Sequence, residues 1–364
     1  MTLCKIEIRN IRNLRSVSLK LTSNINLFYG NNGSGKTSLL EAVHLLGLGR
    51  SFRGPRLGPV INHASDDCTV FGQVDHASGS SRPLGIVRNR NGSREVHIGG
   101  EPVRQLSELA KVLPLRLINT DSIQLLTAPP ENRRRFLNWG VFHVEPGFHE
   151  AWKMSQHCLK QRNVLLRDAK IDTTQLDLWS RELVKVGEAI DRYRDGYIAS
   201  LNPLFQQQLS NLIEAEGFSL TYYRGWDGSS GLADVLATDV EMDAKRGYTL
   251  HGPQRAELRV LVDERDTVDV LSRGELKMVA CAMMLAQAHL YEQLGSRDCL
   301  FLIDDLSSEL DVEHRKDMCR LLEENHHQIL VTNVERADVA DYWDSTELAM
   351  FHVEHGEISP QEMR

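Results

Sequence analysis

Gly30-Asn31-Asn32-Gly33-Ser34-Gly35-Lys36-Thr37 constrains this chain more than any other stretch, because it fits G-x-x-x-x-G-K-S/T, the loop that cradles phosphate. Gly33 and Gly35 let the backbone turn so that successive N–H groups face one point, a nest for phosphate oxygens. Lys36 supplies a mobile cation for β- and γ-phosphates, and the Thr37 hydroxyl can ligate Mg²⁺. The flanks agree. Ile25, Leu27 and Tyr29 alternate as a strand entering the loop, and Ser38 leads into a helix over Leu39–Leu46 whose N-terminus favours an anion. A plain glycine-rich turn explains the glycines but not the Lys and Thr in register behind them. The stretch Gly30–Ser38 implies a nucleoside triphosphate, ATP with Mg²⁺, as ligand.

The chain has 364 residues, enough for two domains. No run approaches the ~18 apolar residues of a membrane span, and Met1-Thr2-Leu3-Cys4-Lys5-Ile6-Glu7 lacks the apolar core of a signal peptide. Cysteines at 4, 68, 158, 281, 299 and 319 form no C-x-x-C pair, so neither a zinc site nor a disulfide framework is expected. A reducing cytoplasm, with no membrane partner, is the expected location. Net charge is −8, yet residues 1–120 hold 16 Lys/Arg against 8 Asp/Glu. A basic N-terminal part on an acidic protein suggests one localised anion-binding face.

Cys4, Ile6 and Ile8 alternate with charged residues as a half-buried strand, and Val17, Leu19 and Leu21 repeat the pattern. Beyond the loop helix comes Arg50-Ser51-Phe52-Arg53-Gly54-Pro55-Arg56. Arg50, Arg53 and Arg56 around one aromatic suit a phosphate backbone, so DNA contact is expected there rather than a merely solvated loop. Residues 69–98 read as a meander, with Asn91-Gly92 as a hairpin turn in which both residues tolerate φ > 0. Leu113–Asn119 is a further strand. From Pro130 to Leu212, large apolar residues recur at spacings of three, four or seven, the stripe of a helical hairpin broken near Asp168–Thr174. Strands return at Ser219–Tyr223, then at Leu258–Val262 and Thr267–Leu271, which flank Asp263-Glu264-Arg265-Asp266 as a second hairpin.

Ser272 with Glu275 three residues on is a capping box; with Gly274 it also resembles the signature loop of ABC-type ATPases. Cys299-Leu300-Phe301-Leu302-Ile303 is an apolar run ending in Asp304 and Asp305. A buried parallel strand has this form, and carboxylates at its C-terminal end face the ligand crevice. Asp304 is expected to hold Mg²⁺ through water and Asp305 to orient or deprotonate the attacking water. Leu306–Asp311 opens a helix, and Ile329–Asn333 gives one more buried strand. Lys36 and Asp304 lie 268 positions apart, far more than a minimal phosphate-loop core needs, so the helical stretch reads as an insert.

Gly30–Thr37 with Leu39-Leu40-Glu41-Ala42, Gly49–Arg53, Pro130 with Arg133-Arg134-Arg135-Phe136-Leu137, Gly252-Pro253-Gln254-Arg255, Ser272-Arg273-Gly274 and Leu302–Asp305 together resemble the RecF family, bacterial DNA repair ATPases of the SMC-like group. The family tends to have Gln at Glu275 and a His-Arg-Asp-Asp string at Gln254–Glu257. Thr332-Asn333 stand where transporter ATPases place a switch histidine, and Asp305 where Glu is usual. The resemblance implies an α/β ABC/SMC-type head over residues 1–125 and 245–364, with a helical arm over 126–244. It implies a slow, Mg-dependent ATPase in which Ser272, Gly274 and Asp311 help bind nucleotide, Ser272 reaching the γ-phosphate of another copy, so that ATP drives homodimerisation. It further implies binding of single- and double-stranded DNA at gaps, and cooperation with RecR and RecO in loading RecA during replication-fork repair and the SOS response. Asp121 or Gln124 would touch the attacking water if Asp305 does not. The alternatives are a transporter's ATP-binding subunit, against which the large arm speaks, and an ATP-gated nuclease of the overcoming-lysogenisation type. The latter needs an acidic metal cluster that residues 312–364 do not show.

Overall fold

Ile25, Leu27 and Tyr29 predict a strand before the phosphate loop; in the structure, a computed structural model, that strand runs Ile25–Tyr29 and is buried on both faces as far as Phe28. Its place in a six-stranded sheet is the reason. The order is Glu357–Pro360, Leu348–Glu354, Ile25–Tyr29, Gln328–Asn333, Leu300–Ile303 and Leu115–Ile118. All neighbours run parallel except the terminal hairpin Leu348–Glu354/Glu357–Pro360. Inner strands of such a sheet are covered above and below, so both faces must be apolar. The structure describes residues 1–56, 58–76, 79–214, 216–294, 298–309, 312–324, 327–336, 340–343 and 348–361. It divides into two units, Met1–Ser122 with Gly295–Arg364, and Ile123–Leu294.

The first unit holds a second, antiparallel sheet, ordered Leu14–Lys20, Thr2–Ile11, Asp67–Asp75, Ser81–Asn89, Arg94–Ile98 and Glu101–Pro102. The helix Lys36–Leu48 is shared by both sheets. Its Leu39, Leu40, Val43 and Leu46 join Ile6, Ile8, Val70 and Leu84 of one sheet to Phe28, Leu302 and Leu330 of the other in one core. The helix ends at Gly49, in the left-handed region at φ 65°, as the glycines at 47 and 49 suggest. At the Asn91-Gly92 turn only Gly92 adopts positive φ, because four residues separate the strands rather than two.

The second unit is built on the helices Pro130–Val144, Phe148–Leu165, Thr173–Ser210 and Arg273–Gln293. Thr173–Ser210 packs along Phe148–Leu165 and Arg273–Gln293, and Asp172 caps its start by accepting from Gln175 N at 3.0 Å. The Arg162 guanidinium, fully buried, donates to Asp243 Oδ2 at 2.6 Å and Thr249 Oγ1 at 2.7 Å, so the buried charge is paired and hydrogen-bonded. Two readings change here. Thr267–Leu271 is not a strand: Asp266 accepts from Val268 N and starts the helical turn Thr267–Val270. The hairpin turn is Asp263-Glu264, both at positive φ, pairing Glu257–Val262 with the short strand Arg265–Asp266. The expected arm boundary at 244 also differs from the division at Leu294, since Gln287 Nε2 donates to Phe136 O at 3.0 Å within the helical unit. Among the described residues no helix is long and apolar enough to cross a membrane.

Candidate functional site

The phosphate loop leaves the sheet at Gly30, where a Cβ would come within 2.1 Å of Val353 O; only glycine fits this approach of two strand ends. Gly33, at φ 79°, makes the turn itself. The loop is held from behind: Asn13 Nδ2 donates to Ser34 O at 2.9 Å, Gly356 N donates to the same oxygen at 2.8 Å, and Ser38 Oγ donates to Asn13 Oδ1 at 3.0 Å. Ser34 Oγ is buried without a hydrogen-bond partner. A buried hydroxyl left over inside a glycine nest suits a phosphate oxygen, so the loop fits the triphosphate it implies. Lys36 Nζ lies folded onto the loop, donating to Gly30 O at 2.6 Å and Asn31 O at 3.1 Å. Burial lowers the Lys36 ammonium from its ordinary range, and the charges of Asp305 and Asp304 oppose that shift.

The paired carboxylates reach the loop because Leu300–Ile303 lies one strand removed from Ile25–Tyr29, with Gln328–Asn333 between them. Thr37 Oγ1 donates to Asp304 Oδ1 at 3.0 Å. Burial pushes the Asp304 carboxyl up; bonds from Thr332 and Thr37 pull it down, the Asp305 charge raises it and Arg53 lowers it. Thr37 and Asp304 are adjacent hard oxygen donors, which fit Mg²⁺, an ion that takes one or two carboxylates plus waters and substrate phosphates. Among the described residues no cluster of three or more His, Cys, Asp or Glu forms a metal cage of its own.

Asp305 stands in the left-handed region, φ 57°. Its N–H donates to Thr332 Oγ1 at 2.8 Å, and the same hydroxyl donates to Asp304 Oδ1 at 2.8 Å. Asn333 Oδ1 accepts from Ser307 N at 3.3 Å and from Ser307 Oγ. The intervening strand therefore holds the Asp304 carboxylate, the Asp305 backbone and the segment behind them, which gives the Thr332-Asn333 pair a role that sequence left open.

Lys36, Thr37, Asp304 and Asp305 line one cavity of about 1290 Å³, together with Arg12 and Arg53. Of the three arginines expected at DNA, Arg53 lines this cavity; Arg50 and Arg56 are exposed and are not among its lining residues. Asp121 is exposed beyond the Leu115–Ile118 strand and does not line the cavity. Ser272 and Gly274 belong to the second unit and are exposed. Ser272 Oγ accepts from Glu275 N at 3.3 Å and Glu275 Oε2 accepts from Ser272 N at 2.8 Å, the complete capping box. Asp311 lies outside the described residues. Sequence reasoning missed Asn13, Arg12 and the partners of Glu41; a carboxylate inside the apolar run Leu39–Leu46 was the available signal for the last.

A phosphate loop on an inner strand, paired carboxylates one strand away and a helical insert between them define a P-loop ATPase head of the SMC type. The RecF/RecN/SMC N-terminal domain family matches residues 2–359. The DNA replication and repair protein RecF of Pseudomonas syringae pv. syringae is 48% identical over 99% of this chain and 98% of its own, and that of Azotobacter vinelandii 49% over the same shares. Solved structures of the recombination mediator protein RecF in the RecFOR pathway, with ATP and with ATPrS, superpose at TM-scores of 0.88 and 0.86, each 22% identical over 99% of this chain and 98% of that one. An SMC head bound to the winged-helix domain of ScpA matches at TM-score 0.61 and 13% identity, over 100% of this chain and 98% of that one. The chain belongs to the RecF family.

Proposed function

We propose that this chain is an ATP-switched DNA-binding protein of recombinational repair and replication-fork maintenance, a recombination mediator like its RecF relatives. One observation carries the reading: in a RecF-family chain, Lys36 and Thr37 meet Asp304 and Asp305 in a single cavity although 268 positions separate Lys36 from Asp304. The loop N–H groups and Ser34 Oγ bind phosphate oxygens, and Lys36 exchanges the carbonyls of Gly30 and Asn31 for the β- and γ-phosphates. Bound Mg²⁺, held by Thr37 and Asp304, supplies charge neutralisation at those phosphates. Asp305 orients or deprotonates the water that adds to the γ-phosphorus while the β–γ bridging oxygen leaves with ADP. Aspartate is one methylene shorter than the usual Glu, so turnover is slow and hydrolysis acts as a release step.

Ser272 and Gly274 of a second copy close over the γ-phosphate, so ATP drives a homodimer. The closed dimer binds single- and double-stranded DNA at gaps, with Arg50 and Arg56 on the phosphate backbone while Arg53 faces the nucleotide. RecR and RecO are its partners in loading RecA, in the cytoplasm. The test is DNA affinity with and without ATP. Lys36→Ala should cost on the order of 100-fold in ATP affinity, because the densest phosphate charge loses its cation, and should abolish the ATP-stimulated part of DNA binding. Equal DNA binding by both proteins at saturating ATP would refute the switch.

A further inference from the structure

Glu41 is fully buried in the helix Lys36–Leu48, among Leu39, Leu40, Ala42 and Val43. Its carboxylate accepts two bonds from one guanidinium, Arg12 Nε to Oε2 at 2.8 Å and Arg12 Nη2 to Oε1 at 2.9 Å. Oε1 also accepts from Ser51 Oγ, and Ser51 Oγ in turn accepts from Arg53 N at 3.0 Å. One side chain thus ties two separate segments, the turn after Thr2–Ile11 and the loop after the helix. Each presents an arginine, Arg12 and Arg53, to the cavity that holds Lys36 and Asp304.

The rest of the loop is anchored independently. His44 Nδ1–H donates to Arg50 O at 2.7 Å, and the buried Arg88 donates to Gly49 O. Arg12 has its own backbone anchors, N to Val60 O at 2.8 Å and Asn62 Nδ2 to Arg12 O at 2.5 Å, with φ at 52°. These anchors account for the backbone without Glu41. What Glu41 adds is direction: the Arg12 fork fixes a guanidinium plane, and the Ser51 link fixes the peptide from which Arg53 projects. A buried carboxylate is a poor source of net stability, because desolvation offsets most of the ion-pair attraction.

We propose that Glu41 is a positioning residue that holds Arg12 and Arg53 against the triphosphate. The assignment rests on the reading of this cavity as the ATP site. It acts through the two arginines and touches no phosphate itself.

The test measures equilibrium binding of N-methylanthraniloyl-ATP in EDTA, alongside thermal unfolding, in the full chain. Glu41→Gln keeps the size of the side chain but presents an N–H₂ to the Arg12 fork. It should weaken binding about tenfold, the loss of one charge-assisted bond. The same change in an Arg12→Ala/Arg53→Ala background should weaken binding no further, whereas a purely structural role would add its full effect there. Ser51→Ala cuts only the Arg53 branch and buries no charge, so it should fold and lose affinity a few-fold even if Glu41→Gln does not fold. Lys36→Ala separates the two claims. If Lys36→Ala binds normally, the ATP-site reading fails; if Lys36→Ala loses binding while Glu41→Gln and Ser51→Ala match wild type, the assignment of Glu41 is overturned alone.

Discussion

Thr332→Val removes one hydroxyl and leaves a side chain of nearly the same volume, so it isolates the hydrogen bonds that hold the Asp304 carboxylate and the Asp305 amide. Thr332 is fully buried in the strand Gln328–Asn333. Its single hydroxyl proton has two acceptors in reach, Asp304 Oδ1 at 2.8 Å and Ile303 O at 3.5 Å, and the shorter contact to a carboxylate wins. Losing that bond costs about 1.5–3 kcal/mol, and taking the acceptor from Asp305 N–H adds roughly 1–3. The two share one oxygen and are not additive, so about 2–4 kcal/mol is expected, a large part of the stability of an ordinary domain. Thr332→Ser keeps the hydroxyl and gives up a buried methyl, at about 1 kcal/mol. Urea unfolding of the nucleotide-free protein measures the cost. Hydrogen–deuterium exchange over residues 298–309 locates it, since the Asp305 amide loses protection in the Val variant and keeps it in the Ser variant. ATP turnover should fall in Thr332→Val with KM little changed, because the phosphate loop is untouched. Wild-type unfolding and exchange in Thr332→Val would show that the hydroxyl does not hold the Asp304 carboxylate and the Asp305 amide.

Three further outcomes are expected. Burial holds the His44 imidazole neutral down to about 4, against an ordinary 6.5. Its contribution is therefore present above pH 6.5 and lost as pH falls, by roughly 2 kcal/mol at about pH 5; His44→Asn, which keeps a donor for Arg50 O, should remove that part of the slope in urea titrations at the two pH values. Ser272→Asp preserves the helix cap, since Asp caps about as well as Ser, but sets a negative charge against the partner copy's γ-phosphate. Light scattering should then find a folded, ATP-binding monomer, and a dimer of wild-type strength would reduce Ser272 to a cap. Arg50→Ala with Arg56→Ala should lower duplex affinity without sequence preference and flatten the log–log salt slope by about 0.9 per lost phosphate contact; an unchanged slope would move the DNA surface elsewhere.

Much of the site was legible in the chain because its chemistry is local. A phosphate nest needs glycines, a Lys and a Thr within eight consecutive residues, and a strand ending in two carboxylates declares itself by an apolar run before them. The capping box at Ser272 is equally local, one helix turn long. Legibility failed where a residue's meaning depends on a distant neighbour. Thr267–Leu271 has strand-forming residues, yet Asp266 caps it into a helical turn. Ile25–Tyr29 reads as a strand from its alternation, but that it is buried on both faces follows from its inner place in a parallel sheet covered above and below. Thr332 became an orienting residue, and Arg53 a cavity residue, only when sheet order set Gln328–Asn333 between the phosphate loop and the carboxylates. Glu41 shows the division most sharply. A charge inside an apolar helix announces from sequence that a partner exists, because an unpaired buried carboxylate is too costly to persist. Which partners those are, Arg12 from 29 positions before and Ser51 from 10 positions after, is a matter of side-chain direction across packed elements, and only the tertiary structure supplies it.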